Sequence, residues 1–504
     1  MSKKEQYSDP AFIEKPVDEK GRKRSEQREL DVKNIPMARM KYVRSDYTNY
    51  PGGQMRGQYL DWLNSGGADE DIYSRFRKIL VSPTINTPDY FKGYGGHNGW
   101  PCVLCLRNGD IIVTFCAGYD HPSWKTPLDL HKSVEDEVRK RDEEGAVFGA
   151  WVLDWDCPTG GRIMFIKSSD AGKTWTKPKA FPEVEGKPDC GYYISSMTQL
   201  SDGSIIAASR SERGYGYWSN TPANPYLYSK AIIERSFEYP SQIILFRSVD
   251  NGDTWHLYNR VNFPYFLSND APYSIFESEN GELQMMVSGN PQPGGKGWIM
   301  STGRQYPQCL MYFMSSADKG ITWEMRAVIG DEEFDFDEGT GAYLPDGSIG
   351  MATRPTSAWF KSYDSGRSWS KPVRLQNGES MGIEGSNLIY KKGDCIVTRD
   401  GIVLVVFTNA KEMGLAIYSR DSGESWILPE AGTGFQFDPI SYYPSVCELK
   451  DGSLFAVGLC EVNAKEYISV FGENRFGPRT GVVSSMKFRI KKPEEGEGIE
   501  LLDI

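Results

Sequence analysis

One eight-residue pattern, Ser-x-Asp-x-Gly-x-(Thr/Ser)-Trp, occurs five times in the chain and limits the possible folds more than any other feature. The five copies begin at Ser168, Ser248, Ser316, Ser362 and Ser419. Successive copies are separated by between 46 and 80 residues. A fixed motif at such irregular intervals indicates one supersecondary unit that is repeated with connecting loops of different length.

The pattern is typical of a tight connection between two strands. Its aspartate can accept hydrogen bonds from the backbone of its own turn, its glycine can adopt a positive φ, and its tryptophan can close the turn as an apolar plug. A second repeat supports this interpretation, because six apolar segments are each interrupted by an Asn-Gly or Asp-Gly pair, a strong hairpin signal. These pairs are Asn108-Gly109, Asp202-Gly203, Asn280-Gly281, Asp346-Gly347, Asp400-Gly401 and Asp451-Gly452.

The two repeats therefore predict four strands in each unit. In chain order they are two strands joined by a tight turn, a variable loop, a third strand, the Ser-x-Asp turn and a fourth strand. Six such units arranged radially make an all-β, six-bladed propeller. With these repeats the chain resembles the sialidase superfamily, in which this pattern is called the Asp box or BNR repeat. The resemblance covers about residues 85–490 and implies the six-bladed fold. It does not define the reaction, because one fold hosts many chemistries.

The predicted organisation has three parts. They are an N-terminal extension over 1–84, partly disordered or wrapped on the surface, the propeller over 85–490 with long insertions in blades 1 to 3, and an acidic, solvated tail over 491–504. Within the extension, Ala68 to Leu80 predicts a short helix, because its acidic residues come first and its basic residues last.

The bulk composition excludes several classes of partner. The formal net charge of −11 disfavours nucleic acid and anionic membranes as ligands. The first residues are charged and lack the apolar segment of a signal peptide, and the nine cysteines are an odd number. These features predict a cytoplasmic protein, and they leave its oligomeric state open. Cys102 and Cys105 are the closest pair, but on a strand their spacing places them on opposite faces, so we expect no metal or other cofactor.

Propeller topology selects the residues that could form a site. The start of each innermost strand and the end of the next strand meet at one face, near the axis. Carboxylates, phenols, imidazoles and guanidinium groups converge there, as acid/base chemistry on a polar or anionic substrate requires. The set comprises His97, Asp120 and His121 from blade 1, Tyr192, Tyr193, Arg210 and Arg213 from blade 2, Asp270, Tyr273 and Asn290 from blade 3, Glu338 and Arg354 from blade 4, Glu384, Asn409 and Lys411 from blade 5, and Tyr442, Tyr443 and Glu461 from blade 6.

The loops that follow the second strand of the first three blades are long, and the insertion in blade 2 is rich in aromatic residues, among them Trp218. Aromatic rings suit the apolar faces of sugars. Such loops would convert a shallow propeller face into a cleft walled on one side. The expected partner is therefore an oligosaccharide or polysaccharide.

The resemblance to sialidases implies roles for some of these residues. Glu338 and Arg354 are placed like the family's catalytic glutamate and the second arginine of its carboxylate clamp, and Tyr443 opens the last blade, where the family has its nucleophilic tyrosine. Two of the three clamp arginines are missing. Trp100 stands in place of the first, and the stretch expected to contain the third reads Lys-Glu-Met-Gly from Lys411. Lysine does not reproduce a bidentate clamp, which disfavours ordinary sialic-acid hydrolysis.

The histidines suggest a different reaction. The chain has only four histidines, and His97 and His121 flank the central hairpin of blade 1. Together with Tyr193 and Arg210 of the next blade, their order is similar to that in propeller-type lyases of uronic-acid polysaccharides. In that chemistry an arginine or histidine neutralises the uronate carboxylate, and a tyrosine or histidine moves protons.

Three functions remain open. The leading one is a sialidase-like exo-glycosidase acting on an acidic or polar sugar, with Asp120 or His121 as acid/base and Tyr443 with Glu338 as the nucleophile pair. The second is β-elimination through His97, His121, Tyr193 and Arg210. The third is a non-catalytic propeller that binds glycans or proteins. The substrate-binding residues predicted alongside the catalytic ones are Arg210, Arg213, Arg354, Tyr193, Trp100 and Trp218.

Overall fold

The computed structural model describes sixteen segments of the chain, and the statements below concern these segments. They are residues 77–81, 97–118, 162–182, 191–212, 242–261, 266–291, 297–299, 305–307, 310–329, 336–355, 358–375, 391–408, 414–427, 435–436, 441–461 and 481–504. Apart from one short 3-10 turn at Pro493–Glu495, the regular structure in these segments is entirely β-strand.

The first fifteen strands in chain order are β1 (Arg77–Val81), β2 (His97–Cys105), β3 (Ile111–Gly118), β4 (Arg162–Ser168), β5 (Lys179–Ala180), β6 (Gly191–Gln199), β7 (Ile205–Glu212), β8 (Gln242–Ser248), β9 (His256–Val261), β10 (Phe266–Glu277), β11 (Leu283–Pro291), β12 (Gly297–Ile299), β13 (Gln305–Pro307), β14 (Leu310–Ser316) and β15 (Glu324–Ile329). The remaining strands are β16 (Phe336–Tyr343), β17 (Ile349–Pro355), β18 (Ala358–Ser362), β19 (Val373–Arg374), β20 (Lys391–Val397), β21 (Val403–Thr408), β22 (Gly414–Ser419), β23 (Phe435–Gln436), β24 (Ser441–Glu448), β25 (Leu454–Glu461), β26 (Gly481–Ile490) and β27 (Ile499–Leu502).

The strands form six antiparallel blades, which confirms the predicted all-β, six-bladed propeller. From the first strand outward the blades are β2-β3-β4-β5, β6-β7-β8-β9, β10-β11-β14-β15, β16-β17-β18-β19, β20-β21-β22-β23 and β24-β25-β26-β1. The first strands contact one another in the cyclic order β2, β6, β10, β16, β20, β24 and back to β2, so they surround the axis. The small hairpin β12-β13 is inserted between the second and third strands of blade 3.

The sixth blade is completed by β1, a strand that precedes the first blade in the sequence. Strand β1 pairs antiparallel with β26, and Leu80 and Val81 are buried in the adjoining core. The helix predicted to extend to Leu80 is therefore wrong over residues 77–80, because burial of these apolar residues against the sheet outweighs a charge pattern that favours a helix. Residues 68–76 lie outside the described residues.

The other end of the chain packs on the same blade. Strand β26 is longer than β1, which pairs only with its first half. Strand β27 pairs antiparallel with the second half, from Lys487 to Ile490. Ile499 and Leu501 contact the apolar cluster between blades 5 and 6. The tail after Lys491 is therefore not simply solvated, as the sequence predicted, since two of its apolar residues cover the outer part of the last blade.

The repeated Ser-x-Asp turns share one hydrogen-bonding pattern, shown here for the first copy. The Oδ1 atom of Asp170 accepts the backbone N–H of Thr174 at 2.8 Å, and its Oδ2 accepts the Thr174 hydroxyl at 2.6 Å. The Ser168 hydroxyl accepts the backbone N–H of Gly172 at 2.9 Å, and this glycine has a φ of 89°. These bonds to the ionised carboxylate lower the pKa of Asp170 to about 2.

The apolar core lies between the blades, so both faces of each sheet are buried. One cluster joins blades 1 and 2, another joins blades 2 and 3, and a third joins blades 3 and 4. In the part of the chain that the structure describes, we find no helix with the length and apolar character needed to cross a bilayer.

Candidate active site

All six innermost strands change register against the second strand of their blade near the rim, and in three of them a bulky residue at this change has a positive φ. In β2, β16 and β24 the register to the second strand shifts by one residue, between Gly99 and Cys102, between Asp337 and Thr340, and between Tyr442 and Ser445. The bulged residues are Trp100, Glu338 and Tyr443, with φ values of 50°, 46° and 50°. Positive φ is uncommon for bulky residues and costs on the order of 1–3 kcal/mol each. Such bulges redirect side chains, and they are frequent at functional sites.

The residue that follows each bulge suits the interrupted ladder. Trp100 precedes Pro101 and Tyr443 precedes Pro444, and proline has no N–H to lose where the pairing breaks. Glu338 precedes Gly339, where an added Cβ would lie 2.6 Å from Cε of Met311. Local sequence thus favours the same backbone deviation in three different blades.

Four aromatic side chains meet around the axis, and two of them, Trp100 and Tyr443, are at the bulges. Trp100, Tyr193 and Tyr273 are buried in one cluster, and Tyr443 packs against it partly buried. The ring centroid of Trp100 lies 6.0 Å from that of Tyr193 and also 6.0 Å from that of Tyr443. These aromatic residues come from blades 1, 2, 3 and 6.

Glu338 is the centre of a polar network within this cluster. Its Oε1 atom accepts the hydroxyl of Tyr443 at 3.1 Å and that of Tyr273 at 3.4 Å. The Tyr273 hydroxyl also lies 3.3 Å from that of Tyr193. The Oε2 atom of Glu338 is 2.7 Å from Nη1 of Arg354. One carboxylate that is only 4% exposed thus contacts two phenols and one guanidinium group.

The two residues of the predicted nucleophile pair therefore touch, although blade 5 separates their blades. Burial raises the pKa of Tyr443 well above its usual value, and the negative charge of Glu338 raises it further, while Arg354 acts in the opposite direction. Tyr443 is consequently a neutral phenol at ordinary pH. It can act as a nucleophile only if its proton is removed during the attack, and Glu338 is in position to accept that proton.

Asp394 of β20 supports the backbone that follows Tyr443. Its Oδ2 atom accepts the Ser445 hydroxyl at 2.7 Å and the backbone N–H of Val446 at 3.1 Å. Its Oδ1 atom accepts the backbone N–H of Cys395 at 2.9 Å. Ser445 in turn accepts the backbone N–H of Val103 at 3.1 Å. A single carboxylate of blade 5 therefore connects the bulged strands of blades 6 and 1.

A similar contact supports Glu338 from the other side. Ser274 of blade 3 accepts the backbone N–H of Gly341 at 2.9 Å, three residues after Glu338. Ser195 and Ser196 of blade 2 both donate to the carbonyl oxygen of Pro272 at 2.8 Å. These bonds join the innermost strands of blades 2, 3 and 4 directly beyond the bulged residues. We call this layer of bonded strands the floor of the site.

A cavity of about 430 Å³ continues along the axis below this floor. Residues from the innermost strands of all six blades line it, including Cys105, Ser195, Tyr273, Tyr343, Asp394 and Cys447. Among the residues that the structure describes, no cluster of three His, Cys, Asp or Glu side chains is arranged to hold a metal ion.

The structure brings five of the sequence-predicted site residues together: Trp100, Tyr193, Glu338, Arg354 and Tyr443. His97 begins β2, and Arg210 pairs with Tyr193 across β6 and β7, but the side chains of both lie outside the described residues. Asp120, His121, Arg213 and Trp218 lie outside the described residues altogether. The predicted roles of all these residues remain predictions.

Sequence reasoning gave no role to Tyr273 and did not select Asp394. Tyr273 is one of the residues that the sequence places near the axis, but its hydrogen bond to Glu338 became known only from the structure. Asp394 lies on an innermost strand directly after Gly393, and its sequence neighbourhood does not indicate its contact with blade 6. An added Cβ at Gly393 would lie 1.9 Å from the carbonyl oxygen of Val406, so this position has no room for a side chain.

Comparison with known proteins identifies the fold and leaves the reaction open. No protein-family model matches the chain, and no curated protein matches it in sequence. A protein of unknown function from Dyadobacter fermentans has a similar structure, with a TM-score of 0.50 and 16% identity over 78% of this chain and 95% of that one. At this identity the similarity shows the propeller fold alone.

Two glycosidases of known structure are also similar at a lower level. A Hadza microbial sialidase has a TM-score of 0.48 and 14% identity over 78% of this chain and 65% of its own. An α-L-arabinanase of Penicillium chrysogenum, solved with arabinobiose, has a TM-score of 0.46 and 14% identity over 82% of this chain and 98% of its own.

Proposed function

We propose that the protein is a carbohydrate-active enzyme that cleaves a glycosidic bond, with Tyr443 as the nucleophile and Glu338 as the base that activates it. The observation that supports this most directly is the hydrogen bond of 3.1 Å from the Tyr443 hydroxyl to Oε1 of Glu338. Both residues occupy bulges with positive φ at the rim of the propeller. Strained backbone of this kind is concentrated at functional sites.

The bond cleavage follows from this arrangement. The Tyr443 oxygen attacks the anomeric carbon while its proton passes to Glu338, and the glycosidic oxygen leaves with a proton supplied by an acid on the opposite side. Asp120 or His121 would supply that proton. Water then attacks the glycosyl-tyrosine, the same acid acts as base, and the phenol of Tyr443 recovers its proton from Glu338. Two displacements at one carbon retain its configuration.

Arg354 has two functions in this proposal. Its guanidinium orients Glu338 through the 2.7 Å contact, and its side chain, 28% exposed, can contact a polar or acidic group of the sugar. Trp100 occupies the position where the sialidase resemblance implies an arginine, and its buried indole brings no charge to that position. These features favour an acidic or polar sugar that is held by fewer than three arginines.

β-Elimination on a uronic-acid glycan is the second candidate. The cross-strand pairing of Tyr193 with Arg210 favours it, because a phenol and a guanidinium group on neighbouring strands suit this chemistry. On this alternative His97 and His121 would act with them, and Glu338 would have no part in proton transfer.

Mass spectrometry of products from a panel of sialosides, neutral exo-glycosides and uronic-acid oligosaccharides tests the proposal. Hydrolysis adds one water across the two fragments, whereas elimination adds none and leaves an unsaturated sugar. We expect a gain of water, and we expect Tyr443→Phe to abolish turnover.

Paired variants separate the candidates. An unsaturated product that is lost in Arg210→Ala and kept in Glu338→Gln would replace the hydrolase proposal with the lyase. Saturable binding of a glycan without any change in its mass would show a binding protein. Hydrolysis at the wild-type rate by Tyr443→Phe would refute the role of this tyrosine.

A further inference from the structure

Two thiols meet at the junction between the first and the last blade. Cys105 ends β2, the innermost strand of blade 1, and Cys447 lies one residue before the end of β24, the innermost strand of blade 6. Each thiol follows by two residues the contact of 3.1 Å between the backbone N–H of Val103 and the Ser445 hydroxyl, and neither forms a disulfide in this structure. Both pack in the apolar cluster at this junction, where Cys447 is 7% exposed and Cys105 is partly buried.

The pair is separate from the candidate active site. The innermost strands begin at the rim with Trp100 and Tyr443 and run away from it, so the thiols lie at the other end of the axial cavity. Cys447 is four residues beyond Tyr443, a distance of roughly 13 Å along an extended strand. Both thiols line the cavity.

The surroundings make the two thiols chemically different. The interaction with the neighbouring Cys447 thiol lowers the pKa of Cys105, and the positive charges of Arg399 and Lys450 lower it further, so it lies below its usual value despite partial burial. Burial and the neighbouring Cys105 raise the pKa of Cys447. This division resembles that between an attacking and a resolving thiol, since the thiolate is the nucleophile in thiol–disulfide exchange.

We propose that Cys105 and Cys447 are a site of reversible oxidation, at which a disulfide between them locks the propeller ring between blades 1 and 6. With a small disulfide such as oxidised glutathione, the Cys105 thiolate attacks one sulfur and releases one glutathione thiolate. Cys447 then loses its proton and attacks Sγ of Cys105, which releases the second glutathione. Two protein thiols are oxidised and one glutathione disulfide is reduced to two thiols.

The neighbouring thiol Cys102 provides an internal comparison. Cys102 and Cys105 lie on opposite faces of β2, as their spacing predicted, because Cys102 packs with the cluster toward blade 2 and Cys105 with the cluster toward blade 6. The Sγ atom of Cys102 accepts a contact of 4.0 Å from the Ser445 hydroxyl. We therefore expect Cys447 to pair with Cys105 and not with Cys102.

A disulfide between the first and the last blade should raise the melting temperature of the protein. The chain between residues 105 and 447 includes most of the propeller, and a cross-link between its ends restricts the unfolded chain strongly. We expect the oxidised protein to melt at a temperature higher by about 2 °C or more than the reduced protein. A reductant should reverse the change.

The test treats the folded, reduced protein with oxidised glutathione and follows its intact mass. We expect a loss of about 2 Da and a cross-linked peptide pair containing Cys105 and Cys447. Cys102→Ser should behave like the wild type. Cys447→Ala should stop at a mixed disulfide of Cys105 with glutathione, and its melting temperature should not rise.

Three outcomes would overturn the proposal. One is that both Cys105 and Cys447 remain open to alkylation after oxidation. Another is that wild-type protein accumulates the glutathione adduct of Cys105 and does not resolve it, since the thiols would then be unable to join. The third is a loss of about 2 Da in Cys447→Ala, which would assign the disulfide to a different pair.

Discussion

Replacement of Asp394 by alanine tests whether the carboxylate of blade 5 supports the bulge at Tyr443. Asp394 accepts bonds from the Ser445 hydroxyl at 2.7 Å, from Val446 N at 3.1 Å and from Cys395 N at 2.9 Å. Ser445 and Val446 are only 1% and 2% exposed, so water cannot readily replace the carboxylate. A buried donor left without its acceptor costs about 1–3 kcal/mol.

The expected loss follows from counting these donors. The Ser445 hydroxyl can rotate toward another acceptor, whereas the two backbone N–H groups cannot, so we expect Asp394→Ala to lower the free energy of unfolding by about 2–6 kcal/mol. Urea denaturation measures this value. Asp394→Asn keeps one acceptor oxygen and should lose less. The matched control is Asp400→Ala, at the exposed tip of the hairpin that begins with β20, and it should change stability by less than about 0.5 kcal/mol.

The same variant has a consequence at the rim. Because Ser445 and Val446 follow Tyr443 by two and three residues, release of this segment allows the bulge to relax and moves the phenol away from Glu338. Turnover of any substrate found for the wild type should therefore fall more through kcat than through KM. If Asp394→Ala is as stable as Asp400→Ala, the carboxylate does not support the bulge and the reasoning is refuted.

Three further predictions concern the rest of the framework. Gly341→Ala should cost more stability in urea denaturation than Gly339→Ala on the same strand, because its Cβ would lie 2.1 Å from the backbone oxygen of Gly350, whereas at Gly339 the nearest atom, 2.6 Å away, is the flexible end of a methionine. Acid titration followed by tryptophan fluorescence should show a loss of stability as the pH falls from about 4 toward 2, since the pKa values of Asp170, Asp250, Asp318 and Asp364 are lowered to about 2 in the folded chain and are ordinary in the unfolded one. Lys361→Met should lower the free energy of unfolding in urea by only about 1 kcal/mol, although Lys361 forms ion pairs with Asp346 and Glu424. Both carboxylates are exposed enough to be hydrated when the lysine is removed.

Hydrogen-bonding turns made most of this fold predictable from the sequence. Each Ser-x-Asp turn satisfies its own backbone through side chains only two to four residues away, so its structure depends little on the rest of the protein. The Asn-Gly and Asp-Gly hairpins are local in the same sense. Strand β1 was not predictable in this way, because its pairing partner β26 lies some four hundred residues later and residues 68–80 have a charge pattern that favours a helix.

The part of the candidate site that could be predicted is the part in which the order of the strands alone brings residues close together. The start of each innermost strand must lie near the axis, which is why Glu338 and Tyr443 could be paired from their positions in blades 4 and 6. Tyr273 has the same placement, but nothing in its neighbourhood indicates that its hydroxyl reaches Glu338. Asp394 acts through Ser445 of the next blade, and a bond between two strands that are far apart in sequence has no local signal.

The bulges at Trp100, Glu338 and Tyr443 explain how one rim can present such different side chains. Each is the same backbone deviation, with φ near 50°, in a strand whose next residue is proline or glycine. Because the deviation sets the direction of the side chain, the three residues meet at the axis although they come from blades 1, 4 and 6. The indole of Trp100 therefore lies beside the pair of Tyr443 and Glu338, with its ring centroid 6.0 Å from that of Tyr443.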